Sequence, residues 1–567
     1  MKIAGRFSRR RKKRAAIARP ILGSYTSPGF WQRHRIKLLL LVGFYSWFVG
    51  MFFAVTTTYF LVPLVAPLAL IATLVIWLLP DVGKAPTKTI SNFVFAFVIV
   101  VLCWPNYIGI DFPGLPWITM IRLVALPLCV LLLVSLSISA QFRHEMAETL
   151  AAAKAVPWML AGFIGVAFCS IFWSTDVGYS ANKFSVAVFS WFVPFFAAVY
   201  AFRTPGRLTW LGRTMFGITI FVCLIGLVEN HMQKVLWSGH LPKLLSIQDP
   251  AVLSLLAGTV RSVTGKYRVI ATFANALNLA EFLGLAMPFV LHFMLIANRW
   301  YKRVIAGATI PLMFAVVSFT DSRMGMINMF VAIMLYVFFW SMRYRQKNPE
   351  SPIGTGLLVS YPLGAFAFFL STFFVGKIRH LVWGDGSQQG SNDMRVLQIH
   401  TGVPKILDRP WGWGMGRAPE TLALDSIDNF YLTVGLEYGL PGLVLFFGMF
   451  GVAIWNGVKR AITFPRGELG MMVPLVIALV NFMMVKMTLS QQDSHGVVFV
   501  LLGALVAACW RFDEEKRATA AAADAATAEA AQASAPAAAR PSPGRAVPAR
   551  SNARPRIAIR ARAGLPD

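Results

Sequence analysis

Apolar residues fall along this chain in long unbroken blocks, not in strict alternation and not on one helical face. Blocks near 38–56, 59–80, 92–111, 116–138, 157–174, 182–202, 212–228, 271–297, 303–320, 324–342, 354–375, 441–457, 470–488 and 496–511 stand out. Most approach the roughly 20 residues that an α-helix needs to cross a bilayer. Hydrocarbon offers no partner for a bare N–H or C=O, so such blocks become helices whose backbone bonds are satisfied internally. The pattern predicts an all-α polytopic membrane protein of about 12–14 transmembrane helices. Two long polar segments, 229–270 and 376–440, interrupt it and are expected as loops on the outer face.

The two ends of the chain differ from this body. Residues 1–37 carry RRRKKR at 9–14 and no acid, and a long apolar stretch follows instead of a short h-region with a cleavage site. They read as a retained basic cytoplasmic arm, ahead of a polytopic domain over 38–511. Residues 512–567 pass from RFDEEKR into an Ala-rich run and then Arg and Pro. Too few large apolar side chains remain there to offset the cost of ordering, so a disordered cytoplasmic tail is expected from about residue 518.

Composition excludes a soluble protein, with 57% hydrophobic and only 14% charged residues. The net charge of +28 comes largely from the two ends and fits attraction to an anionic membrane leaflet, with no call for nucleic acid. With the arm inside, an even number of spans returns both termini to the cytoplasm. The short loops then placed inside carry Lys84 and Lys88, Arg203 and Arg207, Arg299 with Lys302 and Arg303, Arg343 with Arg345 and Lys347, and Lys459 with Arg460 and Arg466. That is the positive-inside bias. The five cysteines lie in apolar runs without CxxC spacing, which gives no disulfide framework and no zinc site.

Candidate chemistry sits where the charge bias breaks. The outer segments hold Arg261, Arg268, Arg395, Arg409 and Arg417, several lysines, and His231, His240, His380 and His400. Each is individually consistent with solvated loop surface; together they offer an anion site, because the guanidinium fork matches phosphate oxygens. Arg268 leads into RVIATFANALNLAEFL, where Asn278 and Glu281 are three residues apart and share a helical face at membrane depth. Arg323 occupies the tight turn SFTDSRMGM beside Asp321, with which a simple turn pair is the alternative. Arg395 follows WGDGSQQGSNDMR and opens a helix to Leu407 that DRPWGWGMG terminates. In SIDNFYLTVGLEYGLPG, the GLPG separates a short helix over about 428–438 from the next span. Asn429, Thr433 and Glu437 recur there at steps of four, a polar stripe suited to lining a cavity. Asp428, in the first turn, is either a cap favoured by the helix dipole or a general base.

The ordered set Arg268, Phe273, Asn275 and Asn278, then Ser322–Arg323, then Arg395 with DRPWGWGMG and DNFYLTVGLEYGLPG, resembles the O-antigen ligase and polymerase superfamily over roughly residues 160–450. The resemblance implies a membrane glycosyltransferase of C-type architecture at the periplasmic face of a bacterial inner membrane. Its partners would be an undecaprenyl-pyrophosphate-linked oligosaccharide donor, a glycan acceptor, membrane lipids, and a chain-length regulator and flippase of the same pathway. Arg268, Arg323 and Arg395, with Arg261, would bind the donor pyrophosphate. Asp428, or His400, would take the acceptor proton, and Asn275, Asn278, Glu281, Asn429 and Glu437 would line the cavity. No metal or cofactor is implied, and the chain has no DxD-type motif.

Two departures matter. Asp428 stands where ligases acting on lipid A core commonly have His, and Leu277 where Pro is usual. Both favour a polymerase of O-antigen or exopolysaccharide repeat units over a ligase. A transporter flipping lipid-linked glycan, with Asn278 and Glu281 along its path, is a third reading. Against it, the sequence lacks paired halves and concentrates polarity at one face. A scaffold without catalysis would rest on the terminal tails alone.

Overall fold

The structure is a computed structural model that describes residues 84–111, 118–242, 244–247, 252–253, 267–297, 299–376, 389–424, 426–463 and 467–534, with a few positions between 37 and 78. The first two apolar blocks, the basic arm before residue 37, Arg261 and the chain beyond residue 534 lie essentially outside these residues. Two units divide the chain, Met1–Asp513 and Glu514–Asp567.

Among the described residues, fifteen helices carry the first unit and the start of the second. They are α1 (Thr87–Cys103), α2 (Met120–Ile138), α3 (Ala140–Ala151), α4 (Ala155–Ser170), α5 (Val177–Ala201), α6 (Arg207–Met232), α7 (Ala276–Ile296), α8 (Trp300–Phe319), α9 (Arg323–Lys347) and α10 (Pro352–Phe374). Then follow α11 (Gln389–Asp408), α12 (Ala418–Leu422), α13 (Phe430–Ala461), α14 (Met472–Val485) and α15 (His495–Ser534). Among the described residues, 11 helices are long and apolar enough to cross a membrane, and α1 is a shorter apolar one. Each apolar block from residue 92 onward therefore has its helix, and the protein is an all-α polytopic membrane protein. The tail departs from expectation: α15 continues to Ser534. The residues after Asp513 are dominated by Ala, which needs no large buried face to favour a helix, so low complexity here does not mean absence of structure up to that point.

Spans α7 and α14 and the first part of α15 are the most buried, whereas α10 is almost wholly exposed, as a lipid-facing helix would be. The centre is tied by amide bonds as well as by packing. Asn481 on α14 donates to the carbonyls of Gly284 on α7, at 2.9 Å, and Asn328 on α9. Such cross-helix bonds hold bundles together where lipid supplies no hydrophobic contrast.

The two ends of the bundle differ. At one, Arg203 pairs with Glu148 and lies 3.9 Å over the Trp510 ring, Arg511 pairs with Glu468, and Arg460 with Asp513. Glu468 also accepts from the N–H groups of Gly206 and Leu208, so a carboxylate distant in sequence caps the start of α6. The other end collects the long loops. There a small antiparallel sheet of order β2-β1-β3 joins Gly109–Ile110 (β1) to Ile118–Thr119 (β2) and to Leu245–Ser246 (β3) of the first long segment.

At that same end α13 is kinked. Gly439 (φ 68°, ψ −167°) leaves the helical conformation, and Pro441 has no N–H to give to Glu437. The DRPWGWGMG loop fills the gap: Trp413 N–H donates to Leu436 O at 2.7 Å, Gly414 N–H to Glu437 O at 3.1 Å, and Leu440 N–H to Pro410 O at 2.8 Å. Contact is so close that a Cβ on Gly439 would lie 1.8 Å from Pro410 O, and one on Gly412 2.4 Å from Glu437 O. The two motifs are halves of one joint.

Candidate functional site

Arg268 sits on a strained, well-anchored corner. The buried Glu229 carboxylate, at the end of α6, accepts from Tyr267 Oη (2.8 Å) and from the N–H groups of Ile270 (2.9 Å) and Ala271 (2.7 Å). Ala271 holds φ 48° and Asp321 φ 50°, the first unusual for a residue with a Cβ outside Asn, Asp or Gly. From this corner Arg268 Nε donates to Thr320 O at 2.7 Å, and Val269 N–H to Phe319 O at 3.2 Å. Thr320 belongs to the turn that ends in Ser322 and Arg323. Ser322 caps α9 through Gly325 N–H, and Arg323 is the first helical residue. Two of the three expected arginines therefore flank one turn.

Arg395 belongs to a second pair. On α11 its Nε lies 3.4 Å from Asp428 Oδ2, an ion-pair contact without hydrogen-bond geometry. That buried Nε donates to no described residue. One turn further along α11, the buried Gln398 accepts from Asp428 N–H at 3.0 Å and donates to Ser426 O, so it fixes the loop that carries Asp428. His400 is exposed, and its position five residues beyond Arg395 turns it about 140° around the helix. It is not brought to the pair, which counts against it as the base.

Asp428 does not cap α13. Asn429 does, accepting from Leu432 N–H at 3.2 Å. The short amide reaches back to the first turn from the cap position itself, leaving the preceding carboxylate to the arginine. Further along the stripe, Thr433 and Glu437 line a cavity of about 160 Å³ together with Tyr179, Lys183, Ser490 and Gln492.

The α7 residues differ from expectation. Asn275 caps α7 through Asn278 N–H. Asn278 and Glu281 are 1% and 0% exposed and belong to a closed cluster, not to an open cavity wall. Glu281 accepts from Lys486 Nζ at 3.0 Å and from Ser494 Oγ at 2.6 Å, while Asn278 donates to Asp493. Lys486 is fully buried, lies over the Phe430 and Phe482 rings, and its carbonyl accepts Phe430 N–H at 3.0 Å. Burial pushes the Asp493 carboxyl above the usual carboxylate range, and Lys486 draws it partly back. The cluster fits this geometry because a charge at such depth must be paired, and residues from three separate segments reach one point. Sequence reading passed over Lys486, Asp493, Gln398 and Glu229. The signal for the first two was KMTLSQQDSH, a dense polar run between two spans.

The contacts form one chain: Arg395 to Asp428, Phe430 to Lys486, Lys486 to Glu281 on α7. Helices α2, α5, α7, α9, α13 and α15 all begin at this end, so their positive dipole ends lie on the same side as the arginines.

This fold and this polar end define a multi-pass membrane protein with an anion-favouring face. Residues 308–447 match the family model described as O-antigen ligase. The match supports the O-antigen ligase and polymerase superfamily and, with it, a membrane enzyme of O-antigen ligase or polymerase type. It covers about a quarter of the 567 residues and includes Arg323, Arg395, His400, Asp428, Asn429 and Glu437, but not Arg268 or the α7 residues. No curated protein matches the chain.

Proposed function

We propose that the protein is a glycosyltransferase that polymerises undecaprenyl-pyrophosphate-linked oligosaccharide repeat units at the periplasmic face of a bacterial inner membrane. The observation that carries this reading is the Arg395–Asp428 pair: a carboxylate held 3.4 Å from a guanidinium, with both side chains still partly exposed at the polar end. Glycosyl transfer needs both. The acceptor hydroxyl oxygen bonds to the anomeric carbon, its proton passes to Asp428, and the bond from that carbon to pyrophosphate breaks. Arg395, with Arg268 and Arg323 and the helix N-termini, stabilises the charge that develops on the leaving pyrophosphate. No step calls for a metal or a nucleotide sugar.

The test is glycan length in a strain whose only copy carries Asp428→Ala, with protein level checked. Long chains should vanish, a fall of about 10²–10⁴ in transfer for a lost general base, while single repeats still reach the outer surface. Unchanged chain length would remove Asp428 from the chemistry. Repeats trapped inside would replace transfer by transport.

A ligase reading is favoured by the description of the matched family. It predicts that the variant loses glycan attached to lipid A core and retains long lipid-linked chains.

A further inference from the structure

At the end of the bundle opposite the candidate site, a cavity of about 410 Å³ opens between α7, α9 and the start of the Gly467–Val485 span. Its floor is the buried pair His292 and Tyr336, Nδ1 to Oη 3.0 Å. One wall is apolar and turned outward: Leu295 and Ile296 are each 42% exposed and Trp340 39%. In a bilayer such surface meets acyl chains. The rim is cationic. Trp340, Arg343, Tyr344 and Lys347 follow the i, i+3, i+4, i+7 spacing of one face of α9, and the Trp340 and Tyr344 rings stack at 5.3 Å. Arg343 is half-buried and forms no hydrogen bond or ion pair with another described residue.

We propose that this groove binds an anionic phospholipid, with its phosphate held by Arg343 and Lys347 and an acyl chain laid along Leu295, Ile296, Phe339 and Trp340. An aromatic and cationic collar at a span end is the usual meeting point of protein and headgroup. The apolar wall selects a lipid over a free anion. The headgroup class follows from charge: no acidic residue is among the described residues that line the groove, so a choline or ethanolamine would bring a third cation beside Arg343 and Lys347. The lipid here is a second ligand, distinct from the lipid-linked donor at the other end, and the assignment does not depend on the proposed reaction.

The test is native mass spectrometry of the full-length protein in detergent, titrated with phosphatidylglycerol or phosphatidylcholine of identical chains. Phosphatidylglycerol should be retained preferentially, and Arg343→Ala with Lys347→Ala should weaken its binding by at least about tenfold, since one lost charge-assisted contact alone is on that scale. Lys302→Ala with Arg345→Ala removes two exposed cations at the same end and should change nothing. Equal loss in that control pair would reduce the effect to general surface charge and overturn the site. Equal retention of the two lipids, or displacement by millimolar inorganic phosphate, would overturn the lipid class. If the double variant fails to fold, a photoactivatable phosphatidylglycerol on the unaltered protein decides the matter: labelling of the 336–347 peptide supports the groove, and labelling elsewhere removes it.

Discussion

The most consequential single residues are charged ones that water never reaches. Lys486 and Glu281 are both fully buried and 3.0 Å apart. Such a pair contributes little net stability compared with a well-packed apolar substitute, yet removing one partner strands the other charge at a cost of about 3–5 kcal/mol. Glu281→Gln should therefore lower the unfolding midpoint of the detergent-solubilised protein sharply, and adding Lys486→Met should restore most of the loss. Asp493 behaves oppositely. Burial shifts its carboxyl above the usual range, and Asp493→Asn keeps an acceptor for Asn278, so this substitution should cost far less. A midpoint for Asp493→Asn as low as that for Glu281→Gln would show that Asp493 is ionised and paired. Glu281 and Asn278 were visible in the sequence as polar groups sharing a helical face. Their partners were not, because Lys486 and Asp493 are about 200 residues away and only the packing of α7 against α14 and α15 brings them together.

At the scale of elements, α13 and the loop before it form a single device. The kink at Gly439 is possible because Trp413 and Gly414 supply the donors that the broken ladder lacks. In return, the kink fixes the first turns of α13, which carry the Asn429 cap and the Thr433–Glu437 wall. Gly439→Ala meets two obstacles. A side chain at positive φ costs about 1–3 kcal/mol, and its Cβ would overlap Pro410 O. We expect the variant to give little folded protein, measured as the monodisperse fraction after extraction. A well-folded Gly439→Ala protein with unchanged midpoint would mean that the joint does not order this end. GLPG was legible as a break because Gly and Pro act locally; its closure by DRPWGWGMG was not, since the contact follows from tertiary approach.

For the whole molecule, polarity is divided between two ends. One gathers arginines, long loops and helix N-termini; the other ties Arg203, Arg460 and Arg511 into internal pairs with Glu148, Asp513 and Glu468 and leaves Arg343 and Lys347 to the groove. Every one of those pairs is complete by Asp513, and the residues that follow are exposed up to the last whose exposure is described, near residue 528. Ending the chain after Asp513 should leave the unfolding midpoint of the membrane unit unchanged. A clear drop would assign the rest of α15 a packing role.

The amino-acid sequence by itself determined the class, the position of every described span, the GLPG break, and which arginines deserved attention. All of these follow from local physics: the length of an apolar run against the thickness of hydrocarbon, a guanidinium where the charge bias breaks, a proline without an N–H. Tertiary structure alone decided that Asn429 and not Asp428 is the cap, that Asp428 meets Arg395 while His400 does not, and that Glu229 anchors the corner bearing Arg268. It also decided that the α7 polar face closes on Lys486 and Asp493. Apart from the Asn429 cap, which is local once the loop before it is placed, those choices rest on contacts between residues roughly 30 to 215 positions apart, whose energies arise only when separate helices exclude solvent from the same few ångströms.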